Sequence, residues 1–242
     1  MEKVRLQKLL ADEGYCSRRK AEEFIEKGLV YVNGKRAKLG DKANDKDVIL
    51  LAGERVRISR RKRRLYLMLN KPRGYVTTAS DELGRRCVMD LVRDVEDRVY
   101  PIGRLDRNSE GLLLFTNDGD FANMIMHPSR HISKTYRVTV PSTVTEDQLT
   151  QLSQGVTLDD GHTTMPARVE VELNTADRSV MRITIYEGRN RQIRRMCESV
   201  GLEVARLRRT SIGPVKLGML KPGTYRELTS EEVRALRASA GK

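Results

Sequence analysis

The sequence predicts an α+β protein of two domains, residues 1–62 and residues 63–242. Basic residues are concentrated near the start: residues 1–64 hold 19 Lys and Arg against 10 Asp and Glu, whereas residues 65–242 hold 27 against 23. From residue 65, strand and helix patterns alternate without the regular repeat of a parallel β-α-β fold. This arrangement favours a mixed, mainly antiparallel sheet in the second domain.

The composition limits the class of protein. The net charge of +13 indicates a polyanionic partner. Three scattered cysteines do not support a disulfide framework. The longest apolar run, residues 48–52, is far too short to cross a membrane, and residues 1–10 do not resemble a cleavable signal peptide. We therefore expect a reduced, cytoplasmic protein that has no membrane partner.

The first domain begins with two predicted helices. Apolar residues within 4–11 follow a helical period, and Gly14 ends that helix. Ser17 is the predicted N-cap of a second helix that runs to about Lys27. Its first turn is basic, with Arg18, Arg19 and Lys20. Positive charge there opposes the helix dipole, which suggests that these side chains are present to meet phosphates.

Strands complete the first domain. Alternation from Val30 to Val32 precedes Asn33 and Gly34, a type I′ hairpin signal, and residues 47–51 predict another strand. Residues 55–64 then include seven basic side chains. We interpret this stretch as a flexible linker that either follows RNA or is merely solvated.

The second domain contains longer elements. A continuous apolar run at 65–69 predicts a buried strand, and the extended pattern resumes at 75–78. Further patterns predict a strand at 134–140, a helix at 146–152, a hairpin formed by 169–173 and 180–186, and a helix at 190–200 that ends before Gly201.

Several kinds of chemistry find no support in the motifs. The chain has neither a phosphate-binding P-loop nor a dinucleotide-binding glycine pattern, and G-x-S-x-G is absent. Three histidines and dispersed cysteines do not suggest a metal centre. What remains is Asp106, which lies between Arg104 and Arg107 at a predicted turn before a buried strand. The neighbouring charges favour an ionised nucleophile or base, although spacing alone fits an ion-paired turn carboxylate better.

Residues 3–51 resemble the αL RNA-binding domain of ribosomal protein S-four and its relatives. The resemblance is carried by the ordered set of residues 5–8, residues 17–21 and residues 28–34. It implies a domain that binds structured RNA mainly through shape and phosphates. The expected RNA-binding residues are Arg5, Lys8, Ser17, Arg18, Arg19, Lys20 and Lys35.

The second domain resembles the RsuA-type pseudouridine synthases, which isomerise uridine within ribosomal RNA. Residues 103–119 match the family pattern G-R-L-D-x-x-x-x-G-L-L-L-x-T-x-D-G. Three more segments match in the family's order: residues 69–74, residues 134–136 and residues 187–196. The resemblance implies a catalytic domain that needs neither a metal nor an organic cofactor.

The resemblance also assigns roles to residues. Asp106 matches the catalytic aspartate, which either attacks the ribose or removes a ribose proton. Tyr136 matches the tyrosine that stacks on the flipped base, although packing alone also explains a tyrosine there. Arg194 matches the arginine that pairs with the aspartate. A phosphate-binding arginine on a helix that exposes Arg191, Arg194 and Arg195 is a second interpretation, compatible with the first. Ile193 matches a residue of the uracil pocket. We expect further substrate contacts from Arg104, Lys134, Arg191 and Arg195.

The RNA target is suggested by two segments. Asn190 and Arg191 stand where the small-subunit type tends to have Tyr-His, and residues 209–223 resemble the large-subunit type called RluB. We therefore expect the protein to modify large-subunit ribosomal RNA. We also expect it to act as a monomer. The alternatives are a synthase for small-subunit ribosomal RNA and a non-catalytic ribosome-assembly factor that binds ribosomal RNA.

Overall fold

The computed structural model describes residues 2–58, 63–79 and 81–241. The chain divides into two compact units, Met1–Arg64 with Asn117–Gly119, and Leu65–Thr116 with Asp120–Lys242. The predicted domain boundary after residue 62 lies at the end of residues 59–62, which are outside the described residues. Arg60, Arg61 and Lys62 of the predicted linker therefore lie outside the described residues.

The first unit is a small α/β structure. Its elements, in chain order, are β1 (Val4–Arg5), α1 (Leu6–Asp12), α2 (Arg18–Glu26), β2 (Val30–Val32), β3 (Lys35–Arg36), β4 (Lys42–Ala43), β5 (Ile49–Leu51) and β6 (Glu54–Arg55). β1 pairs with β4, and a second antiparallel sheet has the order β3-β2-β5-β6. Leu6, Leu10 and Ile25 pack with Val30 and Ile49 in one buried core.

Local signals place the elements of this unit well. The Ser17 hydroxyl accepts a hydrogen bond from the Lys20 amide at 3.1 Å, so the predicted N-cap is confirmed. Asn33 and Gly34 have φ angles of +50° and +78°, as a type I′ turn requires. The predicted start of the first helix was wrong. Val4 pairs with Ala43 as a strand, and the helix begins at Leu6.

The second unit is larger. Its elements are β7 (Tyr66–Lys71), a 3-10 helix (Val88–Val92), β8 (Tyr100–Ile102), β9 (Glu110–Thr116), α3 (Gly119–Met126), a 3-10 helix (Pro128–Arg130), β10 (Lys134–Val140), α4 (Glu146–Gln154), β11 (Arg168–Asn174), β12 (Ser179–Ile185), α5 (Gln192–Ser199), β13 (Arg206–Ile212), β14 (Val215–Lys216), β15 (Tyr225–Glu227) and α6 (Ser230–Ala240).

One mixed sheet organises this unit. Its order is β11-β12-β10-β13-β9-β7-β15, with β14 beside β13 and β8 beside β9. Among the described strands, β9 and β13 pair in parallel and the other pairs are antiparallel. The predicted α+β class with a mixed, mainly antiparallel sheet is confirmed.

The central strands are buried on both faces. In β9, Leu113 and Phe115 face a core that includes residues of α4 and α5, whereas Leu112 and Leu114 face a core that includes residues of α3 and α6. Successive side chains of a strand point to opposite faces, so a strand covered on both sides reads as a continuous apolar run. This explains the unbroken hydrophobic patterns of β7 and β9.

Three predicted boundaries need correction. Residues 75–78 do not form a named strand, and Val76 makes an isolated bridge to Cys87. The strand predicted at 47–51 begins at Ile49. The helix predicted from residue 190 begins at Gln192, because Arg191 has a left-handed φ of +49° that a helix cannot include.

Candidate active site

Asp106 lies on the loop of residues 103–109, between β8 and β9. β9 is fixed in the centre of the sheet by β7 on one side and β13 on the other. The loop therefore begins from a rigid base. The Asp106 side chain is half-buried and lines a cavity of about 440 Å³. This volume falls in the range of small-molecule sites.

The backbone of this loop is held by Lys71, the last residue of β7, and by the chain that follows it. Every carbonyl from residue 105 to residue 109 accepts a hydrogen bond. Lys71 Nζ donates to Asp106 O at 2.9 Å and to Ser109 O at 2.8 Å. The other bonds are Thr77 Oγ1 to Leu105 O at 2.6 Å, Gly74 N to Arg107 O at 2.8 Å, and Arg73 Nε to Asn108 O at 3.2 Å.

Lys71 is a buried cation beside the candidate catalytic acid. The residue has no exposed surface, and Nζ also donates to Pro72 O at 3.2 Å. Burial lowers the pKa of Lys71 to about 8, while the negative charges of Asp106 and Glu110 oppose that change. Lys71 therefore fixes the loop backbone and acts electrostatically on the Asp106 carboxylate.

The cavity brings together most of the catalytic and substrate-binding residues that the sequence predicts. Tyr136 forms part of its wall from β10 and is 8 % exposed. The apolar part of the wall includes Ile193 at the start of α5. Other predicted site residues on the same cavity are Arg104, Asp106, Lys134 and Arg191.

Arg194 is placed differently from the prediction. Among the ion pairs of the described residues, none joins Arg194 to Asp106. Its Nη1 donates to Val204 O at 2.9 Å, and Nη2 donates to Asn108 O at 3.4 Å. Burial lowers the pKa of Arg194, the charge of Arg191 lowers it further, and the Asp106 charge opposes both. The guanidinium thus supports the Asp106 loop through Asn108 and interacts with the acid through space.

The expected exposed arginine face on α5 was wrong. Arg194 is buried, because it lies on the same side of the helix as Ile193 and Cys197. Arg195 forms an ion pair with Asp160 at 2.8 Å and another with Asp159, and it does not line the cavity. Arg191 is exposed at the cavity because its left-handed backbone precedes the helix.

Two residues of this site have roles that their sequence context did not predict. Lys71 belongs to the matched segment 69–74, but no role was predicted for it. Its position at the end of a predicted buried strand was the signal for a buried, structural cation. Arg206, Arg208 and Arg209 form a basic stretch whose sequence fits the surface as well as a contact with RNA, but Arg209 is 4 % exposed and lines the cavity. Its signal was the alternation of β13, which places Arg209 on the same strand face as the buried Leu207.

The predicted RNA-binding residues of the first unit are mostly exposed. Lys20 donates to Glu23 at 2.8 Å, so part of its charge is already balanced. Lys8 is half-buried. The exposed members are Arg5, Ser17, Arg18, Arg19, Lys20 and Lys35.

The described residues contain neither a metal-binding cluster nor a membrane-spanning helix. In residues 2–58, 63–79 and 81–241, no group of three His, Cys, Asp or Glu is arranged to hold a metal ion. Within those same ranges, no helix has both the length and the apolar character needed to span a membrane.

Family models match both parts of the chain. Residues 4–49 match the S4 domain, and residues 65–199 match the RNA pseudouridylate synthase model. The second match contains Asp106, Tyr136 and Arg194, and it ends before β13.

Curated relatives match almost the whole chain. Ribosomal large subunit pseudouridine synthase B of Bacillus subtilis is 44 % identical over 241 residues, covering 98 % of this chain and 96 % of the relative. The dual-specificity RNA pseudouridine synthase RluF of Escherichia coli is 41 % identical, covering 95 % of this chain and 77 % of the relative. A crystal structure of a pseudouridylate synthase matches with a TM-score of 0.69 and 31 % identity, over 96 % of this chain and 99 % of that one.

Proposed function

Because the chain belongs to the RNA pseudouridylate synthase family, we propose that it converts a uridine of large-subunit ribosomal RNA to pseudouridine. The large-subunit target is supported by the name of the Bacillus subtilis relative, which spans nearly the same length. It is also supported by Asn190 and Arg191 at the cavity rim, where the small-subunit type tends to have Tyr-His.

One observation carries the proposal. The Asp106 carboxylate lines a nucleoside-sized cavity on a loop whose carbonyls, from residue 105 to residue 109, are all hydrogen-bonded. Both proposed actions of the aspartate, attack on the ribose and removal of a ribose proton, need an ionised acid held in a fixed position. Because hydrogen bonds already hold the loop, Asp106 does not have to be ordered during the reaction.

The cavity wall suggests how the base is held. We assign Tyr136 to stacking on the flipped uracil and to the later removal of a proton from carbon, and Ile193 to the apolar side of the base. The target base must leave its stack, which costs a few kcal/mol. Contacts elsewhere on the RNA must offset that cost.

The first unit supplies such contacts in this proposal. Arg18 and Arg19 are exposed on the first turn of α2, and Arg5 and Lys35 are exposed nearby in the same unit. Phosphate contacts of this kind give affinity that depends on salt and little on sequence. We also propose that the enzyme acts in the cytoplasm as a monomer.

The non-catalytic alternative explains less of the structure. A protein that only binds ribosomal RNA has no need of an acid held in a cavity beside a tyrosine and two buried cations. Both Lys71 and Arg194 interact electrostatically with Asp106, although burying each cation is unfavourable. Retaining these groups together is consistent with catalysis.

The test is pseudouridine mapping of ribosomal RNA from cells with and without the gene. We expect one large-subunit position to lose its pseudouridine when the gene is deleted and to regain it with the wild-type gene. Loss of a small-subunit position would overturn the assigned target. An unchanged map of both subunits would overturn the proposed activity on ribosomal RNA.

A further inference from the structure

Two polar atoms on the cavity residues are buried without a hydrogen-bond partner. They are Arg209 Nη2 and Ser109 Oγ, and their residues are 4 % and 1 % exposed. Buried donors are rarely left unpaired, because a buried polar group without a hydrogen bond has lost its water and gained nothing in return. Both residues line the cavity that contains Asp106, so a bound molecule there could supply the missing acceptor.

The guanidinium of Arg209 is held in place. Its Nε donates to Leu112 O at 2.7 Å, which ties it to β9. The backbone of Arg209, on β13, pairs with Gly111 on β9 and with Tyr136 on β10. The unpartnered Nη2 therefore belongs to a rigid group that lies beside the tyrosine assigned to the base.

A second cation lies close to Arg209. Lys134 opens β10, lines the same cavity and donates one Nζ hydrogen to Ile132 O at 2.8 Å, which leaves two hydrogens free for a ligand. Burial, aided by the nearby charge of Arg209, lowers the pKa of Lys134 to about 8. In the described part of the chain, neither cation forms an ion pair with a carboxylate.

We propose that Arg209, Lys134 and Ser109 form a phosphate-binding subsite for the backbone of the nucleotide whose base enters the cavity. This inference rests on the proposed function and extends it to the substrate's phosphate. A phosphate carries negative charge and has several acceptor oxygens. It can therefore accept hydrogen bonds from both cations, offset part of their charge and also accept from the Ser109 hydroxyl. A uracil carbonyl offers a hydrogen-bond acceptor without the charge.

The proposed subsite predicts a difference in binding affinity between two kinds of ligand. The cavity must bind a nucleotide better than the matching nucleoside, because the base and ribose alone leave the two cations unbalanced. The probes are uridine and a uridine bisphosphate that carries one phosphate on each side of the ribose. Isothermal titration calorimetry gives the dissociation constant of each probe for the full-length protein.

For the wild type, we expect the bisphosphate to bind at least about tenfold more tightly than uridine, as for a hydrogen bond to a charged group. Arg209→Met should remove most of this difference. Ser109→Ala should reduce it by about threefold without disturbing the fold, because the hydroxyl it removes has no partner in the protein. This second variant keeps the test decisive if Arg209→Met fails to fold.

Arg208→Met is the matched control. Arg208 precedes Arg209 on β13, is half-buried and does not line the cavity. The variant removes the same charge from the same strand, and it should keep the wild-type preference for bisphosphate. Equal binding of the two probes by wild type would overturn the subsite, as would a preference that survives in both Arg209→Met and Ser109→Ala.

The failure of the subsite and the failure of the proposed function are distinguishable. A protein that forms pseudouridine in ribosomal RNA but binds both probes equally has the activity without this subsite. A protein that forms no pseudouridine but prefers the bisphosphate in an Arg209-dependent way has the subsite without the activity.

Discussion

Replacing Lys71 by methionine tests how the catalytic loop is held. Methionine is similar in length and apolar, so it can occupy the buried volume without a charge. The substitution removes the donors to Asp106 O and Ser109 O, at 2.9 and 2.8 Å. The loop then loses its connection to the end of β7, and the Asp106 carboxylate is no longer fixed from this side.

The size of the stability effect depends on pH. The pKa of Lys71 falls from its usual 10.5 to about 8 because of burial. Each pH unit between these values corresponds to about 1.4 kcal/mol. Between them the unfolded chain binds more protons than the folded chain, so stability rises with pH. The free energy of unfolding therefore gains about 3 kcal/mol from the lowered pKa of Lys71. This gain is fully present above pH 10.5 and is lost as the pH falls to about 8.

Urea unfolding at several pH values between 8 and 10.5 measures this contribution. The stability of wild type relative to Lys71→Met should grow by about 3 kcal/mol across that window. Lys134→Met should change the pH dependence in a similar way, because the pKa of Lys134 is also lowered to about 8, although Lys134 Nζ donates to Ile132 O and not to the carbonyls of the Asp106 loop. The same pH dependence in wild type and Lys71→Met would refute the reasoning.

The same variant has a kinetic consequence. A displacement of about 1 Å at the reacting group can reduce a rate by about a hundredfold. We expect Lys71→Met to lower kcat by about that factor with little change in KM, because Lys71 is a positioning residue that does not line the cavity. A fall in affinity with unchanged kcat would assign Lys71 to RNA binding instead.

Three further predictions concern other parts of the chain. Gly111→Ala should destabilise the protein by more than about 2 kcal/mol in urea unfolding, because φ is +107° and a Cβ would meet Arg209 O at 2.2 Å; unchanged stability would contradict the close approach. Arg194→Met should reduce the single-turnover rate by about a hundredfold by removing one of the two donors to Asn108 O and a charge near the acid, and a wild-type rate would contradict this role. Serine in place of the three first-turn cations of α2 should reduce the salt dependence of RNA binding, by a slope of up to about 3, and an unchanged slope would exclude phosphate contacts at Arg18, Arg19 and Lys20.

Local patterns were sufficient for much of the fold. β10 occupies the predicted residues 134–140, and Ser17 caps α2 as predicted. In both cases the signal is contained in a few neighbouring residues, through alternation or capping chemistry. The sheet order could not be predicted in this way, because the pairing of β9 with β13 joins residues about a hundred positions apart.

The positions of several site residues could not be predicted from sequence patterns, and the physical cause is the same for most of them. Arg194 and Lys71 are buried because carbonyl groups from distant segments accept their hydrogen bonds. A helical or strand period does not reveal such acceptors, and charged residues are usually expected on the surface. Arg191 interrupts the predicted helix because its backbone is left-handed, a conformation that an arginine in the sequence does not signal. Asp106 itself came from the family resemblance, since its spacing alone favoured a structural carboxylate.

The most direct test of the account replaces the carboxylate of Asp106 by an amide of nearly the same shape. Purified wild type and Asp106→Asn are compared for pseudouridine formation and for binding, using large-subunit ribosomal RNA from cells that lack the gene. We predict that Asp106→Asn binds this RNA with nearly wild-type affinity and forms no pseudouridine. Pseudouridine formation by Asp106→Asn at the wild-type rate would contradict the account.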